Sequence, residues 1–307
     1  MSTILEIDTT STVKIDQITE YIRANNDDIA KTLNSLVYRE TESPEDKEEV
    51  RNYLISKSDL CKTIWGDGSD IYKRSWDAIK SIYRNEPSGE DQDLDRMCLE
   101  TGACRGLRNR REYVMEAVKS ILAERDYNAY ILNIASGDGD DIMQLLKEID
   151  SYQDISNIEI TCLDFNEDAI NDGRIKVNEY GLEKNINFVV GDAFRISSYI
   201  KQGKLKEPDI NLAIGLLDYF DERGVQTLLK NINNAKNNTY LIAANIKPHD
   251  VGNHSLMGIL GWSLFEREEN EFNELIKVCG FEDEIYTEPE NVFMIAKAKI
   301  VKQIKTS

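Results

Sequence analysis

The sequence is poor in the residues from which metal centres and disulfide frameworks are built. It has only two histidines and five cysteines in 307 residues, and no two cysteines stand in CxxC spacing. A structural zinc site needs four such ligands, usually at short spacings, so we expect no metal. An odd number of scattered thiols is typical of a reducing compartment, and we therefore predict a cytoplasmic protein.

Long apolar runs and excess basic charge are also missing. No stretch reaches the roughly 20 apolar residues that span a bilayer, and the first eight residues lack the basic and apolar regions of a signal peptide. Lys and Arg number 37 against 56 Asp and Glu, which gives a net charge of −19. Binding of phosphate backbones needs clustered basic side chains. We therefore expect neither nucleic acid nor a membrane as a partner.

What the sequence does contain falls into two parts with different periodicities. Up to about residue 125, apolar side chains recur at helical spacing. One stripe begins at Ser43 and Pro44, a plausible N-cap and first-turn proline, and continues as far as Ile64. We predict that residues 1–105 form an all-helical region. It would cover a substrate pocket or form a homodimer contact, because a sheet alone lacks pocket walls.

After residue 128, short apolar runs alternate with helical patterns, which predicts a mostly parallel sheet covered by helices. The five runs are Ala129–Ile134, Ile158–Leu163, Ile186–Val190, Ile210–Leu216 and Tyr240–Ala244. Two further runs, Glu284–Thr287 and Val292–Lys299, are separated by four residues only. A gap that short permits a hairpin but no helical crossover. The sequence therefore predicts a Rossmann-like α/β fold with seven strands and a C-terminal antiparallel hairpin.

The carboxyl ends of the predicted strands carry residues suited to a nucleoside-type ligand, because ligands of open α/β sheets lie at these ends. Glycines in a turn let the backbone come close to a ligand. A carboxylate after the second strand can bind both hydroxyls of a ribose, and one after the third can accept a hydrogen bond from an exocyclic amine. The candidate binding residues are Ala135, Ser136, Gly137, Asp138, Gly139, Asp164, Phe165, Asn166, Gly191, Asp192, Ala193 and Gly215.

A simpler interpretation of the acids remains open. Asp164 or Asn166 could N-cap the helix that begins at Glu167, and Asp192 could cap the helix after Ala193. Each acid taken alone permits this alternative, whereas the acids at successive strand ends favour a binding site.

Taken together, these motifs resemble the class I S-adenosylmethionine-dependent methyltransferases, over about residues 107–300. The segment from Ile131 to Gly139 is similar to that family's first motif, with Asn133 in place of the usual acid and Ala135 in place of the first glycine. The resemblance implies S-adenosylmethionine as cofactor. It also implies that the glycine turn holds the methionine moiety, that Asp164 binds the ribose and that Asp192 binds the adenine amine. We accordingly predict a methyltransferase domain over residues 106–307.

Candidate catalytic residues follow the fourth and fifth strands: His254, Asp218 and Tyr219. His254 is the best general base, because imidazole titrates near neutrality; an ordinary loop histidine bonded to water is the alternative. Asp218 would accept a proton or orient the substrate. A carboxylate acceptor would need no base, because it is already ionised at pH 7.

Three arginines, Arg108, Arg110 and Arg111, stand out in so acidic a chain. Arg108 and Arg111 share one face of a predicted helix, and we predict that Arg108 binds the cofactor's carboxylate. Ion pairs with neighbouring acids are the alternative. The Arg-Asn-Arg motif, together with the segment from Gly215 to Phe220, also looks like a bacterial subgroup linked to methyl esters of 3-hydroxy fatty acids.

The predicted function is methyl transfer to a small-molecule or natural-product-like acceptor at oxygen or nitrogen, with a carboxylate among the candidates. A non-catalytic S-adenosylmethionine-binding sensor or interaction protein is the alternative. An NAD(P)-dependent oxidoreductase is disfavoured, because its glycine fingerprint needs a small residue where Ile142 stands.

Overall fold

The computed structural model describes residues 44–66, 68, 75–233, 239–248 and 255–300. His254 and the first 43 residues of the predicted helical region lie outside these ranges. The described chain belongs to two compact units. Four helices, the start of a fifth as far as Leu107, and one short later helix belong to the first unit, and the sheet belongs to the second. The predicted boundary after residue 105 and the roles suggested for the helical region stay predictions.

The first unit is helical. Its helices are α1 (Pro44–Lys57), α2 (Asp59–Trp65), α3 (Ser75–Arg84), α4 (Gln92–Leu99), the beginning of α5 (Gly102–Glu124), and α10 (Ser255–Ile259), which comes later in the chain. The stripe that predicts a single helix as far as Ile64 is in fact two helices. Ser58 is in extended conformation, and its hydroxyl accepts a hydrogen bond from Cys61 N–H as the N-cap of α2.

The second unit contains one seven-stranded sheet in the order β3-β2-β1-β4-β5-β7-β6. The strands are β1 (Ala129–Ile134), β2 (Ile158–Asp164), β3 (Ile186–Val190), β4 (Ile210–Ala213), β5 (Tyr240–Ile246), β6 (Phe281–Thr287) and β7 (Phe293–Ile300). Strands β1 to β5 pair in parallel, and β7 pairs antiparallel with both β5 and β6. The predicted fold class, hairpin included, is confirmed.

Helices that precede the strands or lie between them in the chain cover the sheet. They are the rest of α5, α6 (Asp140–Asp150), α7 (Glu167–Tyr180), α8 (Ile196–Lys201), α9 (Glu222–Asn233) and α11 (Glu269–Val278). Every residue of β1 is buried, as is every residue of β5. Ile131 packs in one apolar cluster, and the next residue, Leu132, packs in a second cluster. Successive side chains of β1 therefore alternate between two apolar layers. This alternation is what a strand with packed layers on both faces requires.

The hairpin turn between β6 and β7 is organised by one buried carboxylate. Glu288 is 1% exposed, and its Oε1 accepts hydrogen bonds from the N–H groups of Val292 and Phe293. Its Oε2 accepts from Glu290 N–H and from the Asn109 side chain of α5. The turn therefore keeps the start of β7 fixed against α5.

Among the described residues, no helix is both long and apolar enough to cross a membrane. In the same part of the chain, no group of three or more His, Cys, Asp or Glu side chains is arranged to hold a metal ion.

The packing of α7 on the sheet depends on the absence of a side chain at Gly173. A Cβ at this position would lie 2.3 Å from Cε1 of Phe188 and 2.6 Å from the carbonyl oxygen of Asp138. We expect Gly173→Ala to lower the free energy of unfolding by about 2 kcal/mol or more, because overpacking costs roughly 1–3 kcal/mol and a backbone atom cannot move aside. Urea unfolding measures this difference.

Gly258→Ala in α10 is the matched control, since a Cβ there meets nothing within 4 Å. Alanine in a helix is favoured over glycine, so this variant should keep or slightly raise the stability. Equal stability of the Gly173 variant and the wild type would contradict the close contact.

Candidate functional site

A tight bend joins β1 to α6, and its backbone alternates into the left-handed region. Ala135, Gly137 and Gly139 have φ values of +53°, +57° and +69°. Glycine adopts such angles freely, whereas alanine does so at a cost. A Cβ on Gly139 would lie 2.9 Å from the sulfur of Cys162. The bend is thus shaped by its own residue types and by packing against β2.

Asp164, the last residue of β2, contacts this bend directly. Its Oδ2 accepts a hydrogen bond of 2.8 Å from Gly137 N–H, and its Oδ1 accepts one of 2.8 Å from Asn166 N–H. The side chain is 8% exposed. Burial raises the pKa of Asp164, against the lowering effect of these backbone donors. The structure therefore brings together the glycine bend and the acid predicted to bind a ribose.

The two residues that follow Asp164, Phe165 and Asn166, differ in their exposure and in their contacts. Asn166 is the N-cap of α7, and its side-chain oxygen accepts hydrogen bonds from the N–H groups of Asp168 and Ala169. Phe165 is 53% exposed and presents an aromatic ring beside the acid. Of the two residues that could N-cap this helix, Asn166 does so and Asp164 does not.

The end of β3 lies beside the end of β2, because Asp164 pairs with Val190 and Gly191 N–H donates to the Asp164 carbonyl. Asp192 is exposed, and its Oδ1 accepts a hydrogen bond of 2.8 Å from Phe194 N–H as a cap of the short turn that begins at Ala193. The two predicted acids thus lie on adjacent strand ends. Asp192 also fulfils the capping alternative, and its contact with an adenine amine stays a prediction.

Beyond β4, the chain turns earlier than the sequence predicts. The strand ends at Ala213 rather than Leu216, because Gly215 takes a φ of +70° and a short 3-10 turn follows over Leu217–Tyr219. A Cβ on Gly215 would lie 3.2 Å from both terminal nitrogens of Arg110. Glycine here lets a guanidinium group lie against the backbone.

The structure makes Arg110 a stronger functional candidate than Arg108, which the sequence favours. Arg110 is 3% exposed, its guanidinium carbon lies 4.8 Å from the centre of the Phe293 ring, and one terminal nitrogen lies 3.9 Å from Oδ2 of Asp218. Its Nε is buried and has no hydrogen-bond partner among the described residues. Arg108, by contrast, is only half-buried.

A sequence signal for Arg110 exists in the spacing of α5. Leu107, Val114 and Val118 are buried, and Arg110 continues their spacing of three and four residues. A charged residue on the buried stripe of a helix needs a partner or a ligand, because burial of an unpaired charge is costly.

Asp218, one of the predicted catalytic residues, is 2% exposed and held from two sides. Its Oδ1 accepts a hydrogen bond of 2.6 Å from Ile246 N–H at the end of β5, and its Oδ2 faces Arg110. Burial raises the pKa of Asp218 to about 6, opposed by the positive charges of Arg110 and Arg267 and by the Ile246 N–H. These contacts favour a role in orienting Arg110. Tyr219 beside it is half-buried.

Arg267 fixes the loop that carries Asp218 and Tyr219. It is 6% exposed and donates hydrogen bonds to the carbonyl oxygens of Leu217 and Phe220 and to the side-chain oxygen of Asn245. Burial lowers the pKa of Arg267, against the raising effect of Asp218. No feature of the sequence alone marked this arginine, which comes from the segment after α10.

The raised pKa of Asp218 makes the stability dependent on pH. Between about pH 4, where an unfolded Asp titrates, and the folded value of about 6, only the folded state keeps the proton. The free energy of unfolding should therefore fall as the pH rises through this window, by about 3 kcal/mol from this group.

Urea unfolding of the wild type and of Asp218→Asn across this pH range tests the point, because other titrating groups cancel in the difference. The stability of the wild type relative to the variant should decrease towards pH 6 and then level off. A difference that stays constant with pH would contradict the assigned titration.

Comparison with known proteins shows which family the chain belongs to. Residues 67–288 match the protein family described as "Putative methyltransferase". No curated protein sequence matches the chain. Among solved structures, a possible exported protein from Bordetella parapertussis is 14% identical, with 95% of this chain and 97% of that chain covered and a TM-score of 0.65.

Magnesium protoporphyrin IX methyltransferase from Synechocystis PCC 6803, solved with bound SAH, is also 14% identical; 83% of this chain and 99% of that chain are covered, with a TM-score of 0.49. At 14% identity, the similarity to the Bordetella parapertussis structure concerns the fold alone. The family match, in contrast, takes in well over half of the chain, including the glycine bend, Asp164, Arg110 and Asp218. The chain belongs to this family of methyltransferases.

Proposed function

We propose that this methyltransferase transfers the methyl group of S-adenosylmethionine to a small-molecule acceptor through an oxygen or nitrogen nucleophile, and that a carboxylate is among its acceptors. The observation that supports the proposal most is the hydrogen bond between Gly137 N–H and the Asp164 carboxylate. This hydrogen bond places Asp164, the acid suited to a ribose, next to the glycine bend, which is suited to the methionine moiety.

The residues present fit this cofactor at two points. Backbone donors orient both oxygens of Asp164, Gly137 N–H at Oδ2 and Asn166 N–H at Oδ1, and a carboxylate held in this way can accept further hydrogen bonds from ribose hydroxyls. At the neighbouring strand end, the buried Arg110 keeps an unpaired Nε, and a guanidinium group binds a carboxylate such as that of methionine. In our proposal Arg110 takes the role that the sequence analysis predicts for Arg108.

When bound, S-adenosylmethionine supplies a methyl carbon already activated by the sulfonium. The protein then has to align the acceptor, exclude water and, where the acceptor is a hydroxyl or an amine, hold its proton. Of the predicted catalytic residues, Asp218 is enclosed by Arg110 and Ile246, and Tyr219 lies on the same turn. His254 stays a prediction.

The enclosed position of Asp218 supports an acceptor that arrives ionised. A carboxylate is ionised at pH 7 and needs no proton acceptor. The methyl-ester subgroup suggested by the Arg-Asn-Arg motif belongs to the same proposal, as do a cytoplasmic location and a homodimer.

The ribose contact is tested with Asp164→Asn, which keeps the size of the side chain and removes its charge and one acceptor. We expect the Kd for S-adenosylmethionine, measured by titration calorimetry, to rise at least about tenfold, because a charged acceptor contributes roughly 1.5–3 kcal/mol. Asp168→Asn, an exposed acid on the first turn of α7, is the matched control and should bind as the wild type does.

Unchanged affinity of the Asp164 variant would remove ribose recognition from the proposal. Donor binding by the wild type without methyl transfer to any member of a panel of small acids, alcohols and amines would favour the sensor alternative.

The two arginines are distinguished with Arg110→Lys and Arg108→Lys, which keep the charge and remove the planar set of donors. We expect donor affinity to fall about tenfold for Arg110→Lys and to stay within about twofold for Arg108→Lys, since only Arg110 combines burial with an unpaired Nε. The reverse order would show that Arg108 binds the carboxylate.

A further inference from the structure

The acid inside the glycine bend, Asp138, is engaged by a lysine from the neighbouring helix. Asp138 is 8% exposed, and its Oδ2 lies 2.6 Å from Nζ of Lys176 on α7. The same Nζ lies 3.3 Å from Oδ1 of Asp140, the first residue of α6. Lys176 therefore joins α7 both to the bend and to the helix that follows it.

This lysine holds a segment whose conformation is costly. Three residues out of five in the bend have positive φ, and one of them is Ala135. Through its backbone the bend makes hydrogen bonds from Ser136 N–H to the Leu163 carbonyl, from Gly137 N–H to Asp164 and from Gly139 N–H to the Ser136 carbonyl, and the Gly139 carbonyl accepts from Met143 N–H. Such backbone persists only where the surroundings over-determine it. The contact between Asp138 and Lys176 is an additional restraint from a side chain.

The helix that carries Lys176 is close enough to transmit this restraint. Gly173, one turn earlier on the same face, packs so closely that a Cβ would lie 2.6 Å from the Asp138 carbonyl oxygen. The lysine and the glycine of α7 thus contact the same residue of the bend, one through a charge and the other through packing.

The restraint extends beyond the bend through Asp140. Its carboxylate accepts hydrogen bonds from the Gln144 side chain, at 2.7 Å, and from the Tyr180 hydroxyl, at 3.2 Å. Gln144 in turn accepts one from Arg111 of α5. A continuous polar network therefore runs from Lys176, which also holds Asp138, through Asp140 and Gln144 to Arg111 on the helix that carries Arg110.

The electrostatic environment of Lys176 favours a permanent cation. Burial alone would lower the pKa of Lys176, but the hydrogen bond to Asp138 and the charges of Asp138 and Asp140 raise it above the ordinary value. The side chain is 24% exposed, so the pair is partly shielded from solvent.

We propose that Lys176 is a positioning residue for the methyl donor: through Asp138 it holds Gly137 and Gly139 in the conformation that donor binding requires. This inference rests on the proposed function, since it assumes that the bend binds S-adenosylmethionine. Lys176 acts through Asp138, so its loss should weaken donor binding without removing any group that recognises the ribose or the carboxylate.

The test is the Kd for S-adenosylmethionine, measured by titration calorimetry on Lys176→Met. We expect a loss of about tenfold, the size typical of an unpaired, largely buried carboxylate. Lys147→Met is the matched control: it removes an exposed lysine of α6 that pairs with Asp150 at 3.6 Å, and it should bind as the wild type does. Lys176→Arg, which keeps the cation, should recover most of the affinity.

A double-mutant cycle separates positioning from a general loss of stability. Asp138→Asn should weaken donor binding to a similar extent, and Lys176→Met added to it should weaken binding little further, because both variants break the same contact. Additive losses, or a Lys176→Met variant with wild-type affinity, would overturn the inference while leaving the proposed function intact. Failure of the wild type to bind the donor would overturn both.

Discussion

The hydrogen bond from Gly137 N–H to the Asp164 carboxylate is the contact on which the site depends. It joins the bend after β1 to the tip of β2, and it exists because these two strands pair in parallel and end at the same edge of the sheet. Around it, the same edge gathers an aromatic ring at Phe165 and a second acid at Asp192. The order of the strands, rather than any loop, places the binding groups together.

A second set of contacts fixes the charged end of the site. Arg110 is enclosed by the Phe293 ring, the bare backbone of Gly215 and the Asp218 carboxylate. Asp218 is itself held by Ile246 N–H, and the loop that carries it is held by Arg267. A buried guanidinium with one nitrogen unpaired costs free energy. That cost makes physical sense where an anion binds, because the groups need no rearrangement when the ligand arrives.

Much of the fold could be predicted from the sequence, because buried parallel strands appear as short apolar runs. The bounds of β1 and β3 agree with the predicted runs to the residue, and the four-residue gap at the hairpin leaves only an antiparallel pairing. The early end of β4 could not be predicted, since the sequence shows neither that Gly215 takes a positive φ nor that Arg110, which is distant in sequence, lies against it. The break between α1 and α2 was missed because apolar spacing continues across Ser58, whose capping role is local.

For the candidate site, the sequence predicted which residues lie at the strand ends, but it did not predict the contacts that depend on packing. The glycine bend and Asp164 follow from the position of each residue after a strand. Arg110 and Arg108 are two residues apart, and the sequence does not show that Arg110 is the more buried of the two. Asp218 has the chemistry of a proton acceptor in the sequence, yet its neighbours enclose it. The connection of Lys176 to Asp138 crosses from α7 to the bend, and no local pattern indicates it.

The position of β7 has a consequence for biosynthesis. This strand lies between β5 and β6, and its first residue is Phe293, whose ring supports Arg110. A growing polypeptide can assemble β1 to β4 in order of synthesis, but β5 has no partner on its far side until β7 has left the ribosome. A nascent chain therefore exposes an open sheet edge next to an unsupported arginine. Phe293 must therefore have been synthesised before the contacts around Arg110 are complete.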